Sequence, residues 1–302
     1  MTELTRDVVT FPLWGGFATV AVTNPLGMEF VLPIVEETLA QVDLAASNYR
    51  DDSDLAKLHA ANGRPVMVTP MLAAAITVAM DSAAWTNGAV DPTIGGLTRD
   101  TRFTAKRTSY REVQFDPRLS MVTLPDDVQL DLGATAKAWA ADLAATRAYE
   151  ALIAAGLEQI GVMIALAGDI AVAGPCEQGW SILVTDDHRT DPNAVDAGVS
   201  VSIVSGGLAT SSTTTRRTKD EQGTEHAHII DPATWRPVES SWRTVTVAAK
   251  SCTAANAAST AAIVLNDRAI EWLNAHALPA RLVRHDGSVV TLNGWPTEEE
   301  HS

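Results

Sequence analysis

Cysteine is scarce in this sequence, with only Cys176 and Cys252 in 302 residues. Two cysteines give no disulfide framework, and their separation gives no Cys-x-x-Cys metal pair. Positive charge is also short, with 22 basic residues against 37 acidic ones and a net charge of −15. That balance opposes nonspecific attraction to nucleic acid or to an anionic membrane, so any anionic ligand must be held in a local pocket. No apolar run reaches the ~20 residues that a bilayer span demands. The start, Met1-Thr-Glu-Leu-Thr-Arg-Asp7, has neither a basic stretch followed by an apolar one nor a lipobox cysteine, and the expected location is the cytoplasm.

Hydrophobic residues are plentiful at 46%, enough for a substantial core in one large domain or two small ones. Their spacing alternates between strand and helix. Residues 9 to 23 predict a strand pair around Gly15-Gly16. Residues 29 to 47 predict a helix with Val31, Ile34, Val35, Leu39 and Val42 on one face and Pro33 in its first turn. A second helix is expected over 70 to 86, with proline at its start. Strands are expected over 160 to 174, with Gly168-Asp169 as a break, and over 180 to 185, 199 to 204 and 243 to 249. Helices follow at 253 to 266 and again up to Ala277. The acidic tail 296 to 302 is expected to fray.

The stretch Leu130-Asp-Leu-Gly-Ala-Thr-Ala-Lys-Ala-Trp-Ala-Ala-Asp142 is the most informative. It puts an acid and a glycine turn ahead of an alanine-rich helix, with Gly156 as its stop and Lys137 in its first turn. Unpaired N–H groups and a partial positive charge suit a helix N-terminus to an anion, and a lysine there opposes the macrodipole unless an anion compensates it. The plain alternative is a surface lysine on an ordinary amphipathic helix.

Further motifs follow in order: Ser47-Asn-Tyr-Arg-Asp-Asp-Ser53-Asp-Leu55, Gly88-Ala-Val-Asp-Pro-Thr-Ile-Gly95, Gly168-Asp169, Ala209-Thr-Ser211 and His228-Ile-Ile-Asp-Pro232. Together with residues 131 to 137 they resemble the ApbE family of FAD:protein FMN transferases over roughly residues 10 to 265. The resemblance implies an α+β, T-fold-related architecture of mixed sheet layers packed with helices. It also implies a single FAD-binding domain with lobes at about 1–130 and 131–295. By the same resemblance Tyr49 stacks on the flavin, Trp14 offers a ring surface, and the loop of Ala89, Val90 and Asp91 contacts it. Asp131 and Lys137 hold the polar and phosphate parts, Ile230 gives main-chain contacts, and His228 stands where a general base for an acceptor hydroxyl is expected. A histidine that merely bonds at a strand end is the competing reading of His228.

The implied magnesium site uses the carbonyl of Ala134 and an Asp and Thr four residues apart. Here those two positions read Asn256 and Thr260. Losing one unit charge about 4 Å from the ion forfeits on the order of 4 kcal/mol at an effective dielectric of 20. A neighbouring acid or the ligand's own phosphates could compensate. Other departures are Ala167 before Gly168, Ala138 after Lys137, Ser212 after Ser211, and Trp235 where the family's turn has a glycine. The expectation is therefore an FAD-binding protein that stores or sequesters the cofactor without FMN transfer. The alternatives are a magnesium-dependent FAD:protein FMN transferase acting on a Thr or Ser of a flavoprotein, or an FAD pyrophosphatase.

Overall fold

The computed structural model describes residues 6–95, 107–185, 198–214, 217–219 and 225–296. Strands β1 (Asp7–Leu13) and β2 (Gly16–Val22) form a hairpin around Trp14 and Gly15, whose φ angles are +48° and +74°. Helix α1 (Met28–Ala46) buries Val31, Val35, Leu39 and Val42, the stripe its sequence spacing predicts. It begins a residue early because Asn24 caps a single 3-10 turn, Pro25–Gly27, that runs straight into it. Pro33 therefore lies in the second turn rather than the first. It is exposed, so the carbonyl deprived of its partner faces water.

Ser53 caps the short helix α2 (Asp54–Ala60), accepting from the Ala56 amide at 3.0 Å. Then come β3 (Val66–Met67) and α3 (Pro70–Trp85), which Thr69 caps. A small antiparallel sheet joins β3 to β4 (Gln114–Asp116) and β5 (Met121–Thr123) in the order β3-β5-β4. Helix α4 (Ala136–Ala154) packs along α1, and Gly156 behind it has φ +73°.

The second half supplies β6 (Val162–Leu166), β7 (Asp169–Ala173), β8 (Trp180–Thr185), β9 (Gly198–Ile203) and β10 (Gly206–Ser212). Short strands β11 (Arg217–Lys219), β12 (Glu225–Ala227), β13 (Ile230–Asp231) and β14 (Arg236–Pro237) follow. The chain ends with β15 (Trp242–Ala249), α5 (Cys252–Leu265), α6 (Ala269–Ala275), β16 (Ala280–Arg284) and β17 (Val289–Leu292).

One eight-stranded sheet, ordered β1-β2-β6-β7-β10-β15-β16-β17, organises the molecule, and each neighbouring pair is antiparallel. Residues from both expected lobes share it, since β1 and β2 precede residue 131 and the rest follow. Helices cover one face. Small residues on α4 (Ala140, Ala141, Ala144, Ala148) and on α5 (Ala255, Ala258, Ala262) are buried and let both helices lie close to neighbouring side chains. The β8–β9 hairpin covers the other face, where Ile182, Val184, Val199 and Val201 meet Ile170, Leu208 and Trp295. This three-layer arrangement leaves strand ends and helix starts to carry chemistry.

Candidate functional site

Two clusters of polar groups occupy neighbouring parts of the fold. The first gathers three of the sequence motifs. Asp131 accepts from the Asn48 amide at 2.9 Å and from the Gly133 N–H at 2.7 Å, both through Oδ1. Its own N–H donates to the Pro92 carbonyl at 2.7 Å, and Gly95 N–H donates to the Gln129 carbonyl. The chain passes so close there that a Cβ on Gly95 would sit 2.7 Å from the Gln129 oxygen, which only glycine avoids. Asp131 thus brings together the loops carrying Tyr49, Asp91 and Lys137.

Local bonding explains why the Tyr49 ring projects. Ser53, wholly buried, bonds back to the Ser47 carbonyl at 2.8 Å, while Arg50 pairs with Asp43 at 3.1 Å and Asp52 at 2.8 Å. The loop is folded on itself and the ring is left 98% exposed, an unused aromatic plate on a fixed backbone. Trp14, at a positive φ that bulky side chains avoid, packs partly on the first core cluster.

Asp91 caps the single 3-10 turn Pro92–Ile94. Its Oδ1 accepts from Thr93 N–H at 2.9 Å and Thr93 Oγ1 at 2.7 Å, and its Oδ2 from Tyr110 N–H at 3.0 Å. With this carboxylate 7% exposed and engaged on both oxygens, Asp91 shapes the loop rather than offering an open acceptor; Val90 is buried beside it and Ala89 is half-buried.

The second cluster lies where β2, β6, β7 and β10 end. Ala167 N–H donates to the Phe17 carbonyl at 3.1 Å, and Thr210 N–H donates to the Gly168 carbonyl at 3.2 Å. Asp169, 6% exposed at the start of β7, accepts from the Asn256 amide at 2.8 Å. Ser211 on β10 lies 2.9 Å from Thr260 and 2.8 Å from Ser259, and Ser259 donates to the Asn256 carbonyl at 3.1 Å.

Helix α4 joins the two clusters. Lys137 stands in its first turn, which has no capping side chain and no acidic residue of its own. Five residues on, a rise of about 7.5 Å, Asp142 accepts from the N–H groups of Cys252 and Thr253, each at 2.8 Å, and from Thr253 Oγ1 at 2.6 Å. The carboxylate therefore fixes the start of α5, the helix that carries Asn256 and Thr260. Burial pushes the Cys252 thiol well above the ordinary range, and the charges of Asp169 and Asp142 add to this. His228 lies between Ala227 and Ile229, which pack against the cluster containing Ala258 and Ala262 of α5, and β13 carries Ile230 opposite Pro237.

The sequence model of the ApbE family matches residues 15–282. The chain belongs to the ApbE family. Among curated relatives, the FAD:protein FMN transferase of Treponema pallidum is 30% identical over 231 residues, covering 67% of this chain and 62% of that protein. The FAD:protein FMN transferase of Vibrio cholerae is 26% identical over 229 residues, covering 68% of this chain and 64% of that protein. The chain thus spans somewhat under two thirds of these relatives' length. The crystal structure of the apbe protein from Thermotoga maritima matches with a TM-score of 0.81 at 23% identity, covering 95% of this chain and 97% of that one. The apo form of the Pseudomonas stutzeri flavinyl transferase ApbE matches with a TM-score of 0.78 at 22% identity, covering 95% of both chains. These likenesses establish the ApbE fold.

Whether this ApbE chain fits a divalent ion can be read from its oxygens. Asn256 must point its NH2 at Asp169, so Oδ1 faces the other way, and this buried oxygen has no partner among the described residues. The hydroxyls beside it are ordered. Ser259 spends its proton on the Asn256 carbonyl, so Ser211 donates to Ser259 and Thr260 donates to Ser211. Thr260 Oγ1 then keeps its lone pairs. Two acceptors one helical turn apart on α5 fit a cation. The loss of charge expected at position 256 is partly offset by Asp169, a partner that lies 87 residues away in sequence. Sequence reading named Asp169 and Ser211 only as motif letters, and gave Asn48 and Asp142 no role. All four lie inside motif segments whose spacing carries no sign of their distant partners.

Proposed function

We propose that this chain binds FAD and transfers its FMN half to a serine or threonine hydroxyl of an acceptor flavoprotein, releasing AMP. The observation that carries this reading is the acceptor pair Asn256 Oδ1 and Thr260 Oγ1 beside the Asp169 carboxylate. Relatives named FAD:protein FMN transferases support it. In this reading Tyr49 stacks on the isoalloxazine, Trp14 closes one side, and the loop of Ala89 to Asp91 shapes the rim. Asp131 orients a polar edge of the ligand, and Lys137 at the open N-terminus of α4 neutralises phosphate. The Ala134 carbonyl, Asn256 and Thr260 would hold magnesium, which would supply positive charge to the phosphoanhydride oxygens. The acceptor oxygen forms the new bond to the FMN phosphorus, AMP carries away the old one, and His228 takes the hydroxyl proton.

A storage protein is the second reading, favoured by one fact: the Asn256 amide already satisfies Asp169 without any cation. Incubation with FAD, magnesium and candidate acceptor proteins separates the two. AMP release with flavin fluorescence appearing on the acceptor band is expected; tight FAD binding without any AMP would leave storage as the function.

A further inference from the structure

The side-chain oxygens of Asn256 and Thr260 that would face a magnesium ion carry no net charge, and the carboxylate beside them is engaged by the Asn256 amide. The protein ligands there would be neutral: the Asn256 amide and the Thr260 hydroxyl, with the main-chain carbonyl of Ala134 added by the family resemblance. Among the described residues no group of three His, Cys, Asp or Glu side chains could hold a metal ion. Magnesium keeps its hydration shell unless anionic oxygens replace it. The Asp169 carboxylate accepts from the Asn256 NH2 at 2.8 Å, and that bond also fixes the Asn256 Oδ1 facing away from it.

We propose, resting on the FAD reading above, that the divalent ion enters this protein only together with the dinucleotide's diphosphate, so that metal and FAD binding are strongly coupled. The phosphates bring the negative charge that position 256 lacks. Asn256 Oδ1 and Thr260 Oγ1 then contribute orientation rather than charge. An aspartate at 256 would behave differently: it would face Asp169 as a second anion, and the pair would attract a cation with no ligand bound. The Asn256–Asp169 bond instead gives the carboxylate a donor without metal. Coupling of this kind is reciprocal, so magnesium must tighten FAD by the factor by which FAD tightens magnesium.

The full-length protein is titrated with Mn2+, followed by electron paramagnetic resonance, and with FAD, followed by flavin fluorescence with and without magnesium. The expected results are no Mn2+ bound to the protein alone at millimolar concentration, FAD tightened at least about tenfold by magnesium, and riboflavin, which lacks phosphates, unaffected. Asn256→Asp should bind Mn2+ without FAD, on the order of a thousandfold more tightly than the unsubstituted protein. Thr260→Val, which keeps the shape and removes the oxygen, should shrink the coupling toward one. Mn2+ binding equally well with and without FAD overturns the proposal and leaves FAD binding standing. FAD that fails to bind under either condition overturns the proposal and the FAD reading together.

Discussion

Ala167 carries a Cβ at φ +56°, in the turn between β6 and β7, where it is exposed and contributes little packing. An L-residue in that region costs about 1–2 kcal/mol, and glycine avoids the cost while losing some of it through unfolded-state entropy. Ala167→Gly should therefore raise stability by about 0.5–1 kcal/mol, read as a higher urea midpoint at unchanged slope; a lower midpoint would show that the Cβ packs usefully. Trp235 illustrates what a single residue reveals in advance. Its place in a turn that usually ends in glycine predicts positive φ, and the structure gives +58°. Asn256 illustrates the opposite. Its missing charge is plain in the sequence, whereas the Asp169 carboxylate beside it depends on β7 and α5 meeting.

At the scale of elements, the helices were legible because their periodicity runs for four or more turns. The spacings over 29 to 47, 70 to 86 and 253 to 266 each appear as a helix within one residue of the expected ends. Strand β10 was missed because Gly206-Gly-Leu-Ala-Thr-Ser-Ser212 lacks the β-branched alternation that marks a strand; it is made by β7 and β15 pairing on either side. The cap from α4 onto α5 is likewise a contact between elements. Asp142→Ala removes an acceptor from two N–H groups and a hydroxyl, and should cost about 2–3 kcal/mol in urea unfolding. Asp142→Asn keeps one oxygen and should lose roughly half as much. Equal losses in the two variants would mean that charge, not hydrogen-bond number, holds the start of α5.

Across the whole molecule, a ligand that binds only the folded form stabilises it by mass action. FAD at a hundredfold excess over its dissociation constant should add about 2.7 kcal/mol to unfolding, and magnesium should add more only when FAD is present. A melting curve unmoved by FAD would remove the cofactor from this account. No described helix is long and apolar enough to cross a membrane.

The sequence by itself determined the family, the helical stripes and the turn glycines, because each depends on local spacing or short motifs. Only the tertiary structure decided that the two expected lobes share one sheet, that Asp131 ties three loops together, and that Asp169 orients Asn256. Those relations join residues separated by tens to more than a hundred positions, and chain spacing carries no signal for which distant strand ends and helix starts will pack side by side.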